Sequence, residues 1–331
     1  MSQRRRLIPF LESMGAAVIG CVGDIMLDRF VYGDVGRISP EAPIPVLRVG
    51  TEERAQQSML GGLGNVVRNL GALGCGIRVF SITGEDAAGA EIDALVKTVP
   101  RCDAFLLREA ARCTPVKIRY IARGQHLLRV DRETSEIAGD QVVEALLARF
   151  AEHVAECSIV FLSDYAKGVL QGDHAQAFIQ VAREAGKSVI VDPKGYGFER
   201  YRYATLIKPN VKELSETTDM SVAGVAAQEA AARKLLDVTE AQFILLTRGG
   251  EGMLLVPRGQ PSLEFAALAR EVYDVSGAGD TVAAVLAAAL GSGAGIAEAV
   301  ELANIAAGIV VGKVGTAVVH RSEIIHEIEH E

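Results

Sequence analysis

No stretch of this chain approaches the ~20 apolar residues that a membrane-spanning helix needs, so no span is expected. Cysteines are few and unpaired. Cys21, Cys75, Cys102, Cys113 and Cys157 are scattered and never form a C-x-x-C, which speaks for reduced thiols against a disulfide framework or zinc site. There is no basic excess: 34 Lys and Arg against 42 Asp and Glu give a formal charge of −8, so no broad nucleic-acid surface is expected and any phosphate site must be local. The N-terminal MSQRRRLIPFLESMG carries arginines, but its apolar part is short and broken by Pro9 and Glu12, unlike a secretory signal. A cytoplasmic location follows as the expectation. No G-x-G-x-x-G follows the first apolar run, where Cys21-Val22-Gly23-Asp24-Ile25-Met26 stands, which excludes a dinucleotide fingerprint. Gly186-Lys187-Ser188 lacks the glycine of a Walker A loop, Val181 standing in its place. His326-Glu327-Ile328-Glu329-His330 has the form H-E-x-x-H, yet it occupies a terminus where helices fray, with no third ligand in view. A charged helical tail is the expectation there.

What is present describes a folded α/β protein. The chain has 331 residues, 49% hydrophobic and 23% charged. Short β-branched runs at 16–23, 77–84, 158–163, 188–192, 205–210 and 243–247 alternate with helical patterns such as 140–156 and 173–187. Alternation of this kind predicts a mainly parallel sheet with helices on both faces. Two segments depart from it, 43–50 and 112–133, the second alternating around Arg123-Gly124, and both are expected to leave the main sheet as antiparallel excursions. With no repeat, low-complexity tract or linker, one domain over 1–331 is expected, carrying a small β appendage.

Asp274-Val275-Ser276-Gly277-Ala278-Gly279-Asp280-Thr281 runs directly into an alanine-rich helix. Unpaired N–H groups at a helix start attract a phosphoryl group, and the small residues Gly277, Ala278 and Gly279 let it come close. Asp280 would then lie near the phosphorus and serve as the base for an attacking hydroxyl. A second glycine-rich helix start, Gly61-Gly62-Leu63-Gly64-Asn65, offers Gly62 and Asn65 to a sugar hydroxyl. Asp24 stands at the end of the first strand, the edge at which open α/β sheets bind ligands. Lys208-Pro209-Asn210-Val211-Lys212-Glu213 puts Asn210 and Glu213 one helical turn apart, suited to magnesium held through water. Thr247, Gly249 and Gly252 lie in a tight turn able to meet nucleotide phosphates or ribose.

In this order the motifs resemble the PfkB or ribokinase family of carbohydrate kinases, from about residue 15 to about residue 320. The resemblance implies a ribokinase-like three-layer α/β/α domain with a small β-sheet lid, formed here by approximately 30–58 and 112–133. It implies Asp280 as base, Gly277 to Gly279 as anion hole, Asn210 and Glu213 in the magnesium and phosphate network, and Asp24, Gly62 and Asn65 on the sugar. Asn304 would close over the adenine, ATP and Mg2+ would be required, and a lid of this kind often pairs two subunits. Ser276 replaces the commoner threonine, which weakens the case for a monovalent cation such as K+ at Asp274.

Further segments are similar to the branch of that family that phosphorylates C1 of D-glycero-β-D-manno-heptose 7-phosphate in ADP-heptose synthesis for lipopolysaccharide: Gly23 to Phe30 with Asp24 and Asp28, Gly36 to Val46, Ser163 to Gly168, and Asp192 to Gly195. A phosphorylated sugar needs cations, and Arg37, Arg119, Lys167 and Lys194 fall in segments expected to border its pocket. Other sugar kinases of the family, acting on fructose, ribose, a nucleoside or a hexose phosphate, and a non-catalytic regulator on the same fold remain open alternatives. The chain ends at Glu331 without room for a fused nucleotidyltransferase, so a monofunctional kinase is expected.

Overall fold

The computed structural model describes residues 3–52, 55–268, 272–313 and 315–330; positions 53 and 54 of the expected lid lie outside them. Helix α1 (Ile8–Ser13) leads into β1 (Val18–Gly23), the long β2 (Ile25–Ile38), β3 (Pro45–Val49), β4 (Gln56–Gly62) and α2 (Leu63–Ala72). Next come β5 (Gly76–Gly84), α3 (Ala87–Val96), β6 (Cys102–Glu109) and the hairpin of β7 (Val116–Ala122) and β8 (Gln125–Arg132). The chain continues through α4 (Asp140–His153), β9 (Ile159–Ser163), α5 (His174–Glu184), β10 (Val189–Asp192), β11 (Leu206–Ile207), α6 (Val211–Thr218) and α7 (Val225–Thr239). It closes with β12 (Phe243–Thr247), β13 (Met253–Pro257), β14 (Leu263–Phe265), α8 (Ala278–Gly291), α9 (Ile296–Val311) and α10 (Arg321–His330).

Nine strands form one sheet in the order β14-β13-β12-β11-β10-β9-β1-β5-β6, parallel except where β13 pairs with β12 and β14. Alternate residues feed cores on opposite faces: Ile19, Ile77 and Phe161 join α2, α8 and α9, whereas Val22, Phe80 and Leu162 join α4, α5 and α7. Three layers result. The chain order runs outward in both directions from β1, with β5 on one side and β9 on the other, so a crevice opens at the carboxyl ends of these two strands. Helix α8 is buried from Thr281 to Ala289, because alanine lets it lie flush between the sheet and its neighbouring helices.

The second sheet has the order β3-β2-β7-β8, with β4 on β2. Arg123 and Gly124 both take positive φ (49 and 78) in the β7–β8 turn, as the alternation around them predicts. The expectation of separate antiparallel excursions needs correction, because β2 joins them and pairs parallel with β7. Its Asp28, Arg29 and Asp34 broke the apolar pattern by which strands were sought. Among the described residues no helix is long and apolar enough to cross a membrane.

Candidate active site

The loop before α8 reaches Gly277 at φ +79, a conformation that favours glycine, and a Cβ there would come within 2.7 Å of Asn65 Nδ2. Ala278 N–H donates to Val275 O (3.2 Å) and Thr281 N–H to Gly277 O (3.0 Å), which leaves the N–H groups of Gly277, Gly279 and Asp280 without an acceptor among the described residues. All three are available to an anion in the cleft, and Gly277 also makes the turn, whereas Ala278 lines the cleft with its own N–H occupied.

Two side chains hold the Asp280 carboxylate: Asn65 Nδ2 donates to Oδ2 (2.7 Å) and the Tyr165 hydroxyl to Oδ1 (2.7 Å). Loss of solvent pushes its carboxyl above the ordinary range, and these hydrogen bonds and Lys208 pull it back. In its ionised form such a group is a better proton acceptor than an exposed aspartate. Tyr165 stays a phenol, since burial and the Asp280 charge raise it further. Buried Lys208 pairs with Asp192 (2.9 Å), and its Nζ lies 4.0 Å from where a Gly279 Cβ would stand, so an ammonium faces the free N–H groups. Burial pushes Asp192 up to about 6.

These groups share one cleft of about 790 Å3. Asn210, Glu213, Thr247, Gly249, Gly252 and Asn304 line it together with Lys194, which was expected on the sugar phosphate, beside an apolar wall that includes Met253, Leu268 and Val311. Asn210 and Glu213 form the capping box of α6: Glu213 N–H donates to Asn210 Oδ1 (2.9 Å) and Asn210 N–H to Glu213 Oε2 (3.0 Å). Lys194 Nζ takes the other Glu213 oxygen (2.8 Å). Thr247 ties β12 to Pro209 through its N–H (3.0 Å). Gly252, at φ +86, lies against the Phe265 carbonyl where a side chain would collide. Asn304 donates to Ala266 O (2.7 Å), bracing the wall. Asp274 accepts from Ser276 N–H (2.8 Å) and Gly315 N–H (3.1 Å); burial raises its carboxyl but these bonds prevail and hold it below the usual range.

The sugar side departs further from expectation. Asp24 accepts three backbone N–H groups, from Tyr165 (2.8 Å), Lys167 (3.0 Å) and Val169 (3.1 Å), and is only 2% exposed. Burial, together with the Asp164 charge, pushes it up to about 6. Asp24 therefore braces the loop after β9, with one lone-pair position of Oδ1 left over. Gly62, at φ +56, packs against Asp24 O and turns β4 into α2, so its role is conformational. Asn65 grips Asp280 itself. Asp28 pairs with Arg119 (2.7 Å) on the lid. Lys167 Nζ is held by Glu133 (2.7 Å), and Arg37 is exposed near the far end of β2, roughly 30 Å along the strand from Asp28. The four expected cations are thus not brought together.

Tyr165, Asp192 and Lys208 received no role from the sequence, although each ends or follows β9, β10 or β11. Applying the strand-end rule to every strand, as was done for Asp24, would have found them.

Residues 17–322 match the family described as pfkB family carbohydrate kinase. Bifunctional protein HldE of Paramagnetospirillum magneticum is 47% identical over 331 residues, all of this chain and 67% of its own length. The protein of the same name from Caulobacter vibrioides is 49% identical over 304 residues, 92% of this chain and 62% of its own. The chain therefore spans about two thirds of the length of these relatives. Among solved structures, Arabidopsis thaliana ribokinase complexed with ribose and ATP superposes with a TM-score of 0.72 at 21% identity, covering 95% of this chain and 99% of that one. Phosphofructokinase-2 of Escherichia coli in complex with potassium gives 0.77 at 19%, covering 95% and 98%. At that identity the shared property is the fold.

Proposed function

The chain belongs to the pfkB family of carbohydrate kinases, and from that premise we propose that it transfers the γ-phosphoryl group of ATP to the C1 hydroxyl of D-glycero-β-D-manno-heptose 7-phosphate, giving the 1,7-bisphosphate for ADP-heptose synthesis. One observation carries the reading: Asp280 follows the free N–H groups of α8 while Asn65 and Tyr165 aim its carboxylate. The relatives named HldE and the segments from Gly23 to Val46 support the choice of acceptor.

In this reading the acceptor hydroxyl gives its proton to Asp280 as its oxygen bonds to the γ-phosphorus. The bond from that phosphorus to the β,γ-bridging oxygen breaks, and ADP leaves. The N–H groups of Gly279 and Asp280, with the Lys208 ammonium, hold the charge on the transferred group. Asn65 and Tyr165 keep the base directed at the hydroxyl, and the wall around Leu268 and Val311 suits the adenine.

Asp192 feels the charges of Asp280 and Glu213, although among the described residues no three acidic groups stand close enough to hold a metal ion directly. This set fits Mg2+ held through its own waters, by Asp192 and Glu213, because both Glu213 oxygens already have partners. Bound with the nucleotide, Mg2+ would neutralise phosphate charge. K+ would draw on ionised Asp274. A homodimer belongs to the same proposal: β8 is a sheet edge with Leu128 57% exposed and Val130 41% exposed, a surface suited to a second lid. The cytoplasm, which supplies ATP and keeps five thiols free, is the compartment this chemistry requires.

ADP release measured with heptose 7-phosphate, fructose 6-phosphate and ribose tests the proposal. The heptose phosphate should give the highest kcat/KM; a preference for either other sugar overturns the acceptor, and no ADP release with any sugar overturns the catalytic role.

A further inference from the structure

The inner face of the lid carries more positive charge than it neutralises. Register across the second sheet sets Met59 opposite Asp28, Asp28 opposite Lys117 and Lys117 opposite Asp131. The next row on the same face holds Gln57, Phe30, Arg119 and Arg129, because alternate residues share a face. This face looks into the cleft: Lys117 Nζ stands 5.9 Å above the ring of Tyr165, whose hydroxyl holds Asp280.

Two of the cations are matched. Arg119 bonds Asp28 (2.7 Å) and stacks on Phe30, and Arg129 makes two 2.9 Å bonds to Asp131. Two are not. Lys117 makes no ion pair among the described residues, and Arg68, on α2, meets only neutral acceptors: Met59 Sδ (3.6 Å), Asn65 Oδ1 (3.3 Å) and Thr316 O (3.3 Å). Burial holds both below their ordinary values; the Asp28 charge pulls back on each, so both lie within its reach, and the Asp131 and Glu133 charges act more weakly on Lys117 without pairing it. A part-buried cation without a counter-ion costs stability unless an anion arrives to meet it.

The anion is not the transferred phosphoryl group. Lys208 and α8 serve that one, and the order of contacts runs from Arg68 through Asn65 to Asp280 before reaching them. A phosphate monoester carries about −1.5 to −2 at neutral pH, which matches the two unpaired cations. We infer that Arg68 and Lys117 form the binding site for the phosphate that the acceptor sugar already carries. This rests on the reading that the acceptor is a sugar phosphate, and it assigns to Arg68 and Lys117 the role first expected of Arg37, Arg119, Lys167 and Lys194.

The test compares phosphorylated and unphosphorylated members of two pairs, heptose 7-phosphate with heptose and fructose 6-phosphate with fructose, on the wild type, Arg68→Met and Lys117→Met. The wild type should prefer the phosphorylated member of at least one pair. Each substitution should lower that preference, taken as the ratio of the two kcat/KM values, by about tenfold or more, mainly through KM, and Arg68→Lys and Lys117→Arg should restore most of it. An equal loss on both members of a pair, or no loss on the phosphorylated one, overturns the site. So does a wild type that uses the unphosphorylated sugars as well as their phosphates. A wild type that prefers fructose 6-phosphate to heptose 7-phosphate overturns the heptose assignment alone, and the fructose pair then decides the site.

Discussion

The floor and the roof of the cleft are made in opposite ways. On the floor, β9 buries every one of its residues, and Tyr165, Asp192 and Lys208 stand at the ends of strands locked between two helical layers. In the roof, β8 exposes every residue and forms an edge of its sheet. Groups that must hold a transition state within a fraction of an ångström sit on the rigid part, and groups that must admit and release a sugar sit on the part with little core of its own. Chemistry and selectivity should therefore respond to different mutations.

The largest effect should come from the floor. Asp280→Asn keeps size and hydrogen bonding but cannot accept the proton, so turnover should fall by at least ~100-fold with ATP affinity, read by calorimetry, nearly unchanged. A variant with more than about a tenth of wild-type turnover would remove Asp280 as the base.

Asp24 and Asp28 sharpen the comparison, because they flank the step from floor to roof. Asp24→Ala leaves three N–H groups without their acceptor, one buried and two part-buried, the buried one worth ~1–3 kcal/mol, so its main consequence should be a lower unfolding midpoint. Asp28→Ala releases Arg119, which is partly exposed, and should leave the midpoint within a few degrees while raising the acceptor KM. A stable Asp24→Ala with a selectively raised acceptor KM would restore the role first expected of it.

This pair also marks where the sequence stops being legible. The glycine turn before α8 and the N-x-x-E capping box were readable because each is a short contiguous segment whose geometry depends on its neighbours in the chain. The bracing role of Asp24 was not readable, because a strand-end carboxylate looks the same in sequence whether or not it also meets the backbone of Tyr165 to Val169. Tyr165 and Arg68 act through contacts with Asp280 and Thr316 that close only in the folded chain. The strands of the parallel sheet were legible from buried β-branched runs, whereas β2 was missed because Asp28, Arg29 and Asp34 interrupt its apolar pattern.

A smaller effect should appear at the Tyr165 hydroxyl. Asp280 acts ionised and its carboxyl is raised, so activity should fall as pH drops through that raised value. The phenol hydrogen bond lowers it, and Tyr165→Phe should therefore move the acid limb of kcat/KM to higher pH, with little loss on the alkaline side. An unmoved limb would reduce Tyr165 to packing. The smallest effect on the chemistry should come from the outer lid. Ile118 packs against the main core and is unsuited to a test of assembly, whereas Leu128→Glu puts a charge on the exposed edge. Light scattering should show a wild-type dimer and a dissociated variant with unchanged ATP affinity; a monomeric, fully active wild type would end the dimer proposal.

The central claim, that the floor delivers phosphate to C1 of a heptose held under the roof by its own phosphate, is tested most directly by phosphorus and proton correlation spectroscopy of the product formed from heptose 7-phosphate and ATP. The predicted result is a new phosphorus signal coupled to the anomeric proton, with the 7-phosphate signal retained and ADP formed in equal amount. A phosphate on any other hydroxyl, or ADP formed without a new sugar phosphate, would contradict it.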